Sequence, residues 1–373
     1  MSNEFITNLC LPDKCRVICI SDIHGSTDLL IALIAKCKIT EDDYLILLGD
    51  YIEKGNDSFK TLEYVKDLYK NRKNTYLIKG NVDYVPYVIL NECNDDQAAN
   101  YLANRSKSII HKWAQLSMLP EINRENITDI RKFLYSRYIN DIDFISNLPF
   151  IITTSDFIFV HVGVNKDTFN GTDRQTFFST GLLADGNSPD GRWVVFGHFP
   201  TFNSKLSGSS NNPIIFQDRR VIGIDGGNVL IEHGQLNALI INKNFGKIEF
   251  SNEFTNYFNT KITINSYESE NDDHPISKCL LPPYNILREE EYFYVCLQPE
   301  VGKTIRIKKE YLELCENGCY NIISNFLSVE KGENVYITND DCKGYTLVKN
   351  MSGIIGWIKK DCFICGSLVV TNC

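Results

Sequence analysis

The chain is short of positive charge. Its 373 residues carry 38 Lys and Arg against 47 Asp and Glu, a formal net charge of −9. A general nucleic-acid binder needs a basic face to displace counterions, so this balance argues against that class. Any anionic substrate must be drawn in by local positive charge. Long apolar runs are also missing: none approaches the roughly 18 residues that span a bilayer. The amino terminus, MSNEFITNLCLPDKCRVICI, lacks the basic start and apolar core of a secretory signal. The corresponding expectations are a cytoplasmic protein with no membrane partner. Histidine is scarce, with six in the chain, which makes each placement informative. Cysteine is the exception. There are 13, an odd number at uneven spacings, and without an export signal reduced thiols are expected.

What is present is an ordinary globular composition, 43% hydrophobic and 23% charged, in a chain long enough for two domains. Residues 15–80 alternate short β-rich runs with helical patterns: strands at 15–21, 43–50 and 75–80, helices at 26–39 and 58–71. This order implies a sheet core with flanking helices, and ligands of such sheets bind at the carboxyl ends of the strands. Residues 84–146 read as a polar, helical insertion. Five further β-rich runs, at 150–164, 191–200, 219–227, 236–242 and 246–251, predict a second sheet stacked on the first as a sandwich. The first domain is therefore placed at 1–252. The acidic stretch SYESENDDHP marks a linker over 253–278, and 279–373 is β-rich with no helical period of any length.

Polar residues stand directly after the apolar strands. SDIHG supplies Asp22 and His24, LGDYIEKG supplies Asp50, and KGNVD supplies Asn81. FVHVG supplies His161 and FGHFP supplies His198. Each alone has an ordinary explanation as a cap, turn or surface residue. Together they form a set of hard oxygen and borderline nitrogen donors, which suits Mn, Fe or Zn better than Ca or Mg. Six ligands exceed what one open catalytic ion uses, so two ions sharing a carboxylate is the economical arrangement.

The ordered blocks DIHG, GDYIEKG, GNVD, HVG and GH resemble those of the calcineurin-like metallophosphoesterases. They are closest to the phosphoprotein-phosphatase branch that includes serine/threonine phosphatases and diadenosine tetraphosphatases, with VVFGHFP and IGIDGG similar to its bacterial members. The resemblance covers residues 15–250. It implies a four-layer α/β/β/α sandwich. It also implies a first ion on Asp22 and His24, Asp50 bridging, and a second ion on Asn81, His161 and His198. A bridging hydroxide would be the nucleophile, and manganese the first expectation, with Fe or Zn as alternatives. The implied reaction is hydrolysis of phosphate monoesters in a phosphorylated protein or small phosphate substrate. A diadenosine tetraphosphate or nucleotide hydrolase is the enzymatic alternative.

Two positions depart from the pattern. Val82 stands where the family has the histidine that protonates the leaving oxygen, a contribution typically worth about 10²–10⁴-fold. Asp83 is left as the catalytic candidate, with Tyr84 and His111 as other conceivable donors. The alternatives are a substrate with a good leaving group, or a metal-loaded but catalytically weak phosphate-binding module. Lys54 stands for the family's Arg. It keeps the charge but loses the bidentate fork, and is expected to act in catalysis and in substrate binding. Arg174 and Arg192 are further candidates for substrate contacts.

Near the carboxyl end, LSVEKGENVYI and GIIGWIKKDCF resemble the Src-homology-3-like small barrels, so 279–373 is expected to form such a barrel. Lys359 replaces the proline of a proline-binding surface. Tyr345 and Trp357 could line a peptide site, but core or rim packing is the favoured fate of each. The spacings Cys315/Cys319 and Cys362/Cys365 leave a zinc site conceivable, but barrel strands are the favoured explanation of those segments.

Overall fold

The computed structural model describes residues 6–164, 186–204, 209–269, 277–280, 285–298, 302–315 and 320–363. The chain divides into two units. The first comprises Met1–Pro200, Pro213–Leu230 and Gly234–Asn256, and the second Thr201–Asn212, Ile231–His233 and Tyr257–Cys373.

The strands of the first unit are β1 (Ile6–Asn8), β2 (Lys14–Ile20), β3 (Tyr44–Leu47), β4 (Thr75–Leu77), β5 (Ile151–Thr153), β6 (Phe157–Val160), β7 (Trp193–Phe196), β8 (Ile214–Phe216), β9 (Val221–Gly223), β10 (Leu236–Asn244) and β11 (Lys247–Thr255). One sheet has the order β11-β10-β2-β3-β4, the other β1-β5-β6-β7-β9-β8. Within them β2, β3 and β4 are parallel, as are β6, β7 and β9.

The twofold alternation of strand side chains builds the layers. Ile18, Ile20, Leu45 and Leu47 face the helices in one core, whereas Val17, Cys19, Ile46 and Leu48 pack with Phe157, Phe159, Val195 and Ile222 of the second sheet. Both faces of these strands are buried, which is why they read as continuous apolar runs. Helices α1 (Thr27–Lys36) and α2 (Ser58–Asn71) connect the parallel strands, and Asp57 caps α2 by accepting from the Lys60 amide at 3.0 Å. The segment between β4 and β5 is mostly helical. Its helices include Asp95–Ala103, opened by an Asn94/Gln97 capping box, and Ile109–Leu116. The far face of the six-stranded sheet buries Ile158, Val160, Val194 and Phe196. The helical layer expected there is not among the described residues.

The second unit contains β12 (Thr260–Ile262), β13 (Ser277–Leu280), β14 (Asn285–Glu289), β15 (Phe293–Gln298), β16 (Lys303–Lys308), β17 (Tyr320–Ile323), β18 (Asn334–Asn339), β19 (Tyr345–Asn350) and β20 (Ile355–Lys359). Their described pairings give three sheets, β12-β18-β19-β20, β13-β17 and β14-β15-β16, and not one closed barrel. Several expectations are corrected here. Residues 260–262, placed in the linker, form an edge strand on β18. Lys309–Cys315 is a helix where no helical period was read. Segments 201–212 and 231–233, assigned to the first domain, group with the second unit. One expectation stands as favoured: Trp357 packs in the core, 0% exposed among Phe293, Tyr311 and Phe326, with its indole N–H donated to the Ile323 carbonyl at 2.8 Å. Of the four cysteines weighed for zinc, Cys319 and Cys365 lie outside the described residues, and Cys362 is a buried free thiol.

Candidate metal centre

All six expected donors leave the carboxyl ends of parallel strands: Asp22 and His24 after β2, Asp50 after β3, Asn81 after β4, His161 after β6 and His198 after β7. Four of them hold left-handed backbone, with φ of 58° at Asp22, 46° at His24, 55° at Asp50 and 64° at His198. Asp and His tolerate this region better than most residues, but each still stores strain that a purely structural loop would have little reason to keep. Small neighbours make room for the turns. A Cβ on Gly197 would lie 1.9 Å from Ser21 Oγ, and one on Gly80 would lie 2.2 Å from Asp50 Oδ1.

The side chains converge into two groups, Asp22/His24/Asp50 and Asp50/His161/His198, with the ligand atoms of each within 4.8 Å of one another. Asp50 belongs to both. Asn81 Oδ1 lies 3.0 Å from His161 Nε2 and so joins the second group. Backbone carbonyls orient two imidazoles. His24 Nδ1 donates to Ile52 at 3.3 Å and His161 Nδ1 to Leu48 at 2.7 Å, which turns each Nε2 inward. One oxygen of each carboxylate is occupied: Asp22 Oδ2 accepts from Ser21 Oγ at 2.5 Å and the His198 amide at 2.9 Å, and Asp50 Oδ1 from the Val82 amide at 3.0 Å. The other oxygens, Asp22 Oδ1 and Asp50 Oδ2, are buried without a hydrogen-bond partner, each 3.7 Å from His24 Nε2. An orphaned buried carboxylate oxygen is costly unless something cationic takes it. Two of them facing one imidazole nitrogen fit a divalent ion.

The electrostatics differ among the three imidazoles. Burial lowers the pKa of His24 and, together with His161, that of His198, which favours the neutral, ligating form. Burial also opposes charge on His161, but Asp50 and Asp22 outweigh it and raise its pKa to about 10. Burial opposes charge on Asp50 too, yet His161, 3.2 Å away, holds its pKa well below the usual carboxylate range.

The remaining expected residues fall in different places. Exposed Lys54 puts its Nζ 3.5 Å from His24 Nε2, at the edge of the cluster. Asp83, expected as a catalytic acid, is 1% exposed. It accepts from the amides of Asp50 (2.8 Å), Tyr51 (2.8 Å) and Gly80 (2.9 Å). Burial and the nearby Asp50 raise its pKa to about 7. Its oxygens clamp the β3 and β4 loops together, a holding geometry that the sequence reading did not foresee. Tyr84 donates to Glu92 at 3.1 Å, and the His111 ring bonds the Leu102 carbonyl at 3.0 Å. Arg192 is bound to Asp190 and the Thr154 carbonyl and immediately precedes β7, at the opposite strand end from His198. Arg174 lies outside the described residues. Reading the sequence missed Asp225, wholly buried after β9, whose pKa is raised by burial and by Asp22. The strand-end rule applied to IGIDGG would have found it.

A family model of the calcineurin-like phosphoesterases matches residues 15–226, and the chain belongs to that family. It is similar to the asymmetrical bis(5'-nucleosyl)-tetraphosphatase PrpE of Bacillus mycoides (strain KBAB4), 25% identical over 210 residues, covering 48% of this chain and 77% of the relative. Among solved structures it is similar to one provisionally described as a diadenosine tetraphosphatase (21% identity, 66% of this chain and 97% of the other, TM-score 0.40). Another is a serine/threonine phosphatase of Saccharomyces cerevisiae with similarity to human PP5 (14% identity, 66% and 82%, TM-score 0.38). No helix among the described residues is long and apolar enough to cross a membrane.

Proposed function

We propose that Asp22, His24, Asp50, Asn81, His161 and His198 hold two divalent ions, manganese first among them, and that the chain hydrolyses phosphate esters or anhydrides there. The observation that supports this most directly is Asp50, shared by both ligand groups, with its Oδ2 and Asp22 Oδ1 buried and unpartnered. Such a pair of ions, when bound, lowers the pKa of water and neutralises phosphoryl oxygens. The chain's own residues supply the rest. The carbonyls of Ile52 and Leu48 fix two imidazoles, Asp83 holds the ligand loops, and Lys54 offers a positive charge to a phosphoryl oxygen.

Two substrate classes compete: phosphoserine or phosphothreonine in proteins, and nucleotide anhydrides such as the Bacillus relative's name describes. Val82, 8% exposed, donates no side-chain proton. A serine alkoxide departs poorly without one, whereas phosphate leaves an anhydride as a weakly basic anion. This favours the anhydride. The test measures metal content, then turnover of 4-nitrophenyl phosphate, a phosphoserine peptide and diadenosine tetraphosphate with added manganese. Diadenosine tetraphosphate is expected to be preferred over the peptide. Val82→His is expected to raise peptide turnover about tenfold more than aryl phosphate turnover. Equal gains on both refute the leaving-group explanation. Wild-type protein that holds two ions and hydrolyses nothing establishes the phosphate-binding module instead.

A further inference from the structure

Glu53 ties the metal-site loop to the helical insertion. It follows Asp50 in GDYIEKG, and both it and Lys54 hold φ of 66°. The carboxylate is buried. Its Oε1 accepts from the Ser108 hydroxyl at 2.9 Å and the Ile109 amide at 3.0 Å, and its Oε2 from the Tyr101 hydroxyl at 3.2 Å. Three donors satisfy the buried charge, and segment 104–108 is thereby fixed against loop 51–55. The result is a pocket of about 250 Å³ lined by three cationic side chains, Lys54, Arg105 and Lys107. The one carboxylate in its lining is Glu53, whose oxygens are already taken. Lys107 Nζ is held by Asn56 Oδ1 at 2.9 Å, and Arg105 lies against the Tyr101 hydroxyl. Lys54 joins the pocket to the ligand cluster through its approach to His24.

We propose that this pocket is a second anion subsite that receives the linear phosphoanhydride chain of the substrate, beyond the phosphoryl group at the metal ligands. For its reaction the proposal rests on the phosphoesterase function above; for its ligand it rests on the pocket alone. In a chain of net charge −9, three cations gathered at one mouth oppose the overall field and mark a local demand for negative charge. A monoester presents one phosphoryl group, which Lys54 and ions held by the candidate ligands would satisfy. Arg105 and Lys107 match charge distributed further along a chain of phosphates. The volume suits such a chain better than a folded protein segment. In the hydrolysis an O–P bond from water forms and the bridging P–O bond breaks. The departing phosphate keeps the electron pair, and the water's proton passes to solvent.

The test compares equilibrium binding of orthophosphate, inorganic tripolyphosphate, diadenosine tetraphosphate and an acidic phosphoserine peptide to the wild type and to R105Q/K107Q. Wild type is expected to bind tripolyphosphate about tenfold or more tightly than orthophosphate, and the double variant to lose that gap. A preference for diadenosine tetraphosphate over tripolyphosphate identifies a nucleoside-bearing chain, and the reverse an inorganic one. In turnover, kcat/KM for diadenosine tetraphosphate is expected to fall about tenfold further than that for 4-nitrophenyl phosphate, and R105K/K107R to recover most of the loss. Equal wild-type affinities, an unchanged gap in R105Q/K107Q, or a loss confined to the phosphopeptide overturns the subsite. Binding that depends on Arg105 and Lys107 in a protein that hydrolyses nothing upholds the subsite and overturns the catalytic function.

Discussion

Asp50 sets the chemistry at the scale of a single residue. Its Oδ1 is engaged by the Val82 amide and faces His161, while Oδ2 points toward His24. Asparagine can keep the first contact through its carbonyl but removes the negative charge that both groups share. Asp50→Asn is therefore expected to lose both ions, measured as metal per chain, with the circular dichroism spectrum unchanged. Retention of a full metal load would falsify the shared-carboxylate arrangement. Asp83 shows the limit of reading residues one at a time. The strand-end pattern showed that it lies near the ligands. It could not show that its oxygens meet three backbone amides, because that depends on how two loops far apart in sequence fold over each other.

At the scale of elements, the loops after the strands are tight enough to leave no space for small changes. A Cβ on Gly55 would lie 1.6 Å from the His24 carbonyl oxygen. Gly55→Ala must push the His24 loop aside, with an overpacking cost on the order of 2 kcal/mol. It is expected to lower the denaturation midpoint and the metal content together; a midpoint loss with metal binding intact would separate the loop from the site. The strands themselves were legible because both faces of β2 and β3 are buried, so their apolar runs stand out from the polar strand ends. Other elements were not. The helix Lys309–Cys315 spans about two turns, too few for a period to show against β-rich neighbours. Strand β12 is three exposed residues at a sheet edge, and its segment has the polarity of a linker. For Trp357 core or rim packing is the favoured reading, but its partners Phe293, Tyr311 and Phe326 come from three other segments and could not be named from the sequence.

On the scale of the whole molecule, the two units answer to pH through different groups. The first buries titratable groups among the candidate metal ligands. The second buries Lys349 on β19 at 0% exposure, its Nζ donating to the His233 carbonyl at 2.8 Å and standing 5.5 Å from the centre of the Phe258 ring. Burial pushes the Lys349 pKa down from 10.5 to about 7. Between those two values the unfolded chain holds a proton that the folded chain has released, so the stability of this unit rises with pH across that window. His233, whose pKa is pushed down to about 3 by burial and by Lys349, gains its own share at lower pH, completed by about pH 7. Lys349→Met removes the titrating group while keeping a long side chain in the core. The stability difference between Lys349→Met and wild type is expected to shrink by roughly 2 kcal/mol from pH 7 to about pH 9, since one unbound proton is worth about 1.4 kcal/mol per pH unit. Urea midpoints for the transition that exposes Trp357, measured at both pH values, decide the matter. Taking the difference cancels the buried thiols Cys296, Cys342 and Cys362, whose raised pKa values act in both proteins alike. Parallel midpoints for the two proteins would show that Lys349 keeps its proton in the fold and that a partner compensates its buried charge.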